Sequence, residues 1–112
     1  MNKLDYVGVI GVELFVSKNG LIVNEIAPRV HNSGHWTQNG CIVDQFEQHV
    51  RAITGLQLGD GTRHSDVKMT NILGAEITKL DNFIKNGKSA LHLYGKDTIK
   101  SGRKMGHVNE IY

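Results

Sequence analysis

One cysteine and one proline in 112 residues set the first limits on this chain. Cys41 alone forms no intrachain disulfide, which fits a reducing compartment, and its expected role is that of a small buried residue at a helix entrance rather than a nucleophile or metal ligand. Aromatic residues make up 6% of the chain, too few for the interleaved aromatic and basic pattern of a single-stranded nucleic-acid platform. Only Trp36 and Tyr94 are candidates for such stacking. Charge of one sign is lacking as well: the net +2 is spread along the chain rather than blocked, so no nucleic-acid partner is expected. No apolar run is long enough to span a bilayer, and no charged stretch followed by an apolar one marks a signal peptide. The expectation is no membrane association and a cytoplasmic home.

What the chain does have is glycine, 13 residues of it, which points to tight turns between short strands. Tyr6 to Val16 and Leu21 to Ile26 read as an antiparallel hairpin closed near Asn19-Gly20. Two registers remain open. A two-residue Asn19-Gly20 loop places Glu13 opposite Ile26, whereas a three-residue loop with a bulge at Gly20 places Glu13 opposite Glu25. Facing carboxylates destabilise a hairpin unless a cation sits between them, and hard oxygens without thiolates favour Mg²⁺ over zinc.

Cys41 to Ile53 carries Ile42, Phe46, Val50 and Ile53 at helical spacing, with Gly55 suited to the C-terminal cap. The expectation is an amphipathic helix packed on the sheet, with Asp44, Glu47 and Arg51 on its solvated face and His49 without special function. Gln57 to Asp66 reads as a polar loop, Val67 to Leu73 as a strand and Thr78 to Lys85 as a short helix or turn. Ala90 to Tyr94 and Met105 to Asn109 are further strands, joined by a link in and beside which Lys96, Lys100, Arg103 and Lys104 cluster as a candidate phosphate grip. Both chain ends look abrupt, as in a piece of something longer.

Several motifs fail. Gly87-Lys88-Ser89 lacks the earlier glycine of a phosphate loop, since Asn82 stands there. Gly59-Asp60-Gly61 lacks the third glycine and leading strand of a dinucleotide fingerprint. His31, His35 and Cys41 have no second ligand pair for structural zinc, and Ser33 has no strained elbow around it. What remains is two acids on a hairpin, then Arg29, His31, Asn32 and His35 on a following polar segment, and the distant basic link. That set suits phosphoryl-transfer chemistry.

Val12-Glu13-Leu14-Phe15, Asn24-Glu25-Ile26-Ala27-Pro28-Arg29 and the run His31 to Gly40 closely resemble the 5-(carboxyamino)imidazole ribonucleotide synthases, ATP-grasp ligases of purine biosynthesis. The resemblance continues through Gln45 to His49, Arg51 to Ile53, Asn71 to Gly74 and Ser101 to His107. It implies an α+β fold: residues 1–58 as the C-terminal part of an ATP-grasp domain, and residues 59–112 as an incomplete small β-rich C-terminal domain. It further implies ATP and Mg²⁺ as cofactors, with Glu13 and Glu25 holding the metal and Asn24 beside them at the nucleotide. Arg29, His31 and Asn32 would lie where bicarbonate or the new carboxylate binds. Lys96 would take part in catalysis and, with Arg103, Lys104 and His35, in holding aminoimidazole ribonucleotide. The implied partners are those two substrates, the remainder of a ligase chain and a second copy in a homodimer. Ala27 departs from many ATP-grasp enzymes, which place an asparagine there. On this reading the chain alone turns nothing over; the alternative is a noncatalytic module that binds phosphate or nucleotide.

Overall fold

The structure, a computed structural model, describes residues 2–112 and divides into two compact units, residues 1–64 and 65–112. The first opens with a 3-10 turn, Asn2–Leu4, and a two-stranded antiparallel hairpin of β1 (Gly11–Ser17) and β2 (Gly20–Ala27). β1 starts later than the apolar alternation suggests. Gly8 has φ +139° and so interrupts the extended path, while the Tyr6 hydroxyl donates to the Val9 carbonyl at 3.0 Å and holds the lead-in as a loop.

The hairpin closes through a two-residue turn at Lys18-Asn19, with Ser17 opposite Gly20, so neither expected loop forms. The ladder then slips by one position between Glu13 and Leu14: Leu14 faces Val23, and Glu13 faces Glu25. Asn24 is therefore the bulged residue, not Gly20. The carboxylates end up paired as in the second expected register, but by a different route.

After Pro28 come a 3-10 turn (Asn32–Gly34), a single α-helical turn α1 (Thr37–Gly40) and α2 (Gln45–Ile53). The predicted helix from Cys41 is four residues too long at its start. Asp44 is extended, with ψ 172°, and its carboxylate accepts from the Phe46 and Glu47 N–H groups at 2.7 and 3.0 Å, so it caps α2 rather than joining its solvated face. Cys41 to Val43 instead lie along residues 60–64: Val43 N–H donates to the Asp60 carbonyl at 2.9 Å, His64 N–H to Gly40 at 2.8 Å, and Cys41 bridges Arg63. Gln48 clamps Gly59 by its side-chain amide, donating to its carbonyl and accepting from its N–H.

The apolar stripe of α2 does not pack on the sheet. Ile42, Val50 and Ile53 are each more than half exposed, and so are Phe15, Val16, Leu21, Ile22 and Val23 of the hairpin. Polar links hold the helix instead: His49 Nδ1 accepts from the Val9 N–H at 3.1 Å, and Gln45 grips His31. The buried apolar residues of this unit are Ala27 and Cys41.

The second unit is a three-stranded antiparallel sheet in the order β3-β5-β4, from β3 (Val67–Leu73), β4 (Ser89–Leu93) and β5 (Lys104–Ile111). Its central strand is buried from Met105 to Asn109, and Ile72, Met105 and Val108 form its apolar core. Gly106 is required where β5 meets β4, because a Cβ there would lie 2.5 Å from the His92 carbonyl oxygen. A 3-10 segment, Gly74–Asn82, follows β3; Glu76 accepts from the Leu73 N–H at 2.7 Å at its start. Among the described residues no helix is long and apolar enough to cross a membrane.

Candidate metal and phosphate site

Five of the sequence-derived site residues, Glu13, Asn24, Glu25, Arg29 and His31, meet around the hairpin bulge. The bulge turns Asn24 so that its amide donates to Glu13 Oε1 at 2.9 Å, while Arg29 Nη2 approaches Glu25 Oε1 at 3.4 Å. His31 Nε2 lies 3.7 Å from Glu13 and 3.5 Å from Glu25, and ligand atoms of the three residues fall within 4.8 Å of one another. Like charges that would destabilise a bare ladder pair are thus surrounded by an amide, a guanidinium and an imidazole.

His31 is the most enclosed member, its side chain only 14% exposed. Its backbone N–H donates to Gln45 Oε1 at 2.9 Å, and its carbonyl accepts from Gln45 Nε2 at 2.8 Å. Gly11 leaves room for it; a Cβ at that position would lie 2.8 Å from the His31 Cβ. The ring also caps the 3-10 turn, Nδ1 accepting from the Ser33 N–H at 3.3 Å. An accepting Nδ1 leaves the proton on Nε2 in the neutral ring, aimed at the carboxylates. The arrangement therefore fits a hard cation held by oxygens of Glu13 and Glu25, with the His31 imidazole beside them.

Asn32 and His35 follow on the same turn, with Asn32 Nδ2 and His35 Nδ1 3.4 Å apart and the His35 ring tilted against Phe46. Gln45, buried to 8% exposure, escaped the sequence reading. Its only sequence signal is an amide at the start of a helix, and the partners its burial requires lie 14 positions away in the chain.

Lys96, Arg103 and Lys104 lie in the second unit, at the β4–β5 connection. Lys96 Nζ donates to the Lys104 carbonyl at 2.6 Å and sits 5.5 Å from the centre of the Tyr94 ring. Arg103 Nη1 donates to the Thr98 carbonyl at 3.0 Å, and Gly74, with φ +49°, donates its N–H to the Arg103 carbonyl at 2.8 Å. Burial raises the Tyr94 phenol above its ordinary value, so it keeps its proton at neutral pH.

Residues 1–46 match the ATP-grasp domain family, and residues 68–111 match the phosphoribosylaminoimidazole carboxylase C-terminal domain family. The chain is a relative of the N5-carboxyaminoimidazole ribonucleotide synthases. It is 54% identical to the synthase of Brucella melitensis over 99% of its own length, and 47% identical to that of Escherichia coli over 97%. It spans about a third of these relatives, 31% and 30% respectively. Among solved structures, an ADP complex of N5-carboxyaminoimidazole ribonucleotide synthetase superposes with a TM-score of 0.90 at 45% identity, covering 99% of this chain and 30% of that one. The Aspergillus clavatus enzyme in complex with ADP and 5-aminoimidazole ribonucleotide superposes at 0.85 with 35% identity, covering 94% and 30%. Its α+β architecture of antiparallel sheets and short helices is that of these synthases.

Proposed function

We propose that this chain provides part of the catalytic surface of an ATP-grasp ligase that carboxylates 5-aminoimidazole ribonucleotide with bicarbonate, converting ATP to ADP and phosphate. The observation that carries the reading is the bulged ladder that sets Glu13 against Glu25 with His31 and Arg29 alongside, in a chain related throughout to these synthases. Glu13 and Glu25 would hold Mg²⁺, with Asn24 fixing the Glu13 carboxylate, and a cation bound there would supply charge neutralisation for phosphate.

Arg29 and Asn32 orient bicarbonate and then the new carboxylate, a planar group that a guanidinium can hold with two parallel hydrogen bonds. His31 Nε2–H steadies the same charge. Bicarbonate oxygen attacks the γ-phosphorus as ADP leaves, and the substrate amine then attacks the resulting carboxyl carbon as phosphate leaves. Positioning and charge stabilisation supply most of such a barrier reduction. Lys96, Arg103 and Lys104 hold the ribonucleotide, Lys96 and Arg103 at its phosphate. The enzyme works in the cytoplasm as a homodimer.

The test is a chimera in which this chain replaces the matching third of the Brucella melitensis synthase, assayed for ADP release dependent on 5-aminoimidazole ribonucleotide and bicarbonate. Activity in the chimera with silence from the chain alone is the expected result. A folded chimera that binds ATP yet releases no ADP would favour a noncatalytic nucleotide-binding role instead.

A further inference from the structure

His92 lies near the end of β4, and Tyr94 and Lys96 follow just beyond it on the β4–β5 connection, on either side of Gly95 with φ +62°. His92 stands opposite His107 in the β4–β5 ladder, and their rings stack at 4.6 Å with an interplanar angle of 14°. His107 is 1% exposed, and its Nδ1 is hydrogen bonded to the Tyr94 hydroxyl at 2.7 Å. The Tyr94 N–H donates to the Met105 carbonyl at 3.0 Å, so β5 holds both the backbone and the hydroxyl end of this residue. The Lys96 ammonium lies over the Tyr94 ring, 5.5 Å from its centre, and donates to the Lys104 carbonyl at 2.6 Å.

We propose that Tyr94 is a positioning residue for Lys96: anchored by the buried His107, it presents a ring face and holds the ammonium where the ribonucleotide phosphate binds. The inference rests on the reading of Lys96 as a substrate contact. A lysine otherwise loses rotamer freedom each time it meets an anion, and a face that favours the cation removes part of that loss before substrate arrives. Tyr94 itself touches no substrate in this scheme.

A double-mutant cycle in the chimeric ligase tests it, reading KM for 5-aminoimidazole ribonucleotide against kcat and against KM for ATP. Lys96→Ala raises the ribonucleotide KM by roughly tenfold or more, the scale of a lost charge-assisted contact. Tyr94→Leu raises the same KM by about threefold, as loss of a cation–π contact would, with kcat and the ATP KM nearly unchanged. Tyr94→Phe, which keeps the ring but loses the hydroxyl bond to His107, raises the ribonucleotide KM by less than Tyr94→Leu does. In the double variant Tyr94→Leu adds nothing to Lys96→Ala, because its effect passes through the missing ammonium. Additive losses, or a Tyr94→Leu enzyme with an unaltered ribonucleotide KM beside a weakened Lys96→Ala, would overturn the inference while leaving Lys96 as a contact. An unaffected Lys96→Ala would instead remove the underlying reading. Should Tyr94→Leu fail to fold by circular dichroism, Tyr94→Met completes the cycle with the same expected outcomes.

Discussion

Glu25 faces a like charge across the hairpin, which Arg29 and His31 beside it and the Asn24 amide on Glu13 offset. Glu25→Gln preserves shape and hydrogen-bonding reach but deletes one of two charges offered to a hard cation. In the chimeric ligase it should lower magnesium-dependent ADP release by roughly 100-fold or more, since metal stabilisation of phosphate charge amounts to several kcal/mol. Full activity in that variant, assayed across magnesium concentrations, would remove the metal role. Cys41 gives a contrasting expectation. Burial raises its thiol above the usual value, with Arg63 offsetting part of the effect, so less thiolate is present at pH 7 than in a free cysteine. Native protein should react with iodoacetamide about tenfold or more slowly than free cysteine, and at the ordinary rate once unfolded in urea. Rapid native labelling would show an accessible thiol.

At the scale of elements, α2 is capped by Asp44 and held by polar links from Gln45, Gln48 and His49 rather than by an apolar face. Asp44→Ala removes a carboxylate that accepts from two N–H groups, and should cost about 1 kcal/mol of stability by urea denaturation, with Asp44→Asn close to the parent. An unchanged midpoint would mean that the cap contributes nothing to the helix. The sequence made these elements legible to different degrees. Strand and helix identities follow from alternation, helical spacing and glycine. The Glu13 and Glu25 pairing was one of two readings because register depends on where a bulge falls, and a bulge at Asn24 leaves no local signature: the residue is an ordinary strand amide until its partner is known. The start of α2 was misplaced because apolar spacing continues backward through Ile42, whereas the capping carboxylate decides where helical geometry begins. Gln45 and His49 went unseen as anchors because each bonds to backbone groups distant in sequence. The same applies to the His107 and Tyr94 pair, joined only when β4 and β5 lie side by side.

On the scale of the whole molecule, the two units differ in how they bury apolar surface. The second wraps a three-stranded sheet around a buried central strand, while the hairpin of the first leaves Leu14 through Val16 and Leu21 through Val23 in the open. Exposed apolar strands with free edges associate readily. The chain by itself should sediment as a concentration-dependent mixture of oligomers. Replacing the cross-strand pair by Phe15→Lys with Ile22→Lys should shift it toward monomer, through both lost apolar area and mutual repulsion. Monomeric behaviour of the parent at high concentration would contradict that view.

Glu13, Glu25 and His31 all fall on one hairpin and the turn that follows it, so their meeting needs no contact between distant stretches of sequence. Structures of such low contact order assemble early, a hairpin zipping in about 1–10 μs. The acidic pair therefore comes together while the chain is still folding, when its repulsion opposes closure and few other contacts hold the strands. A divalent cation between the two carboxylates would favour that step, so on the proposed reading the metal would also bear on the order of folding.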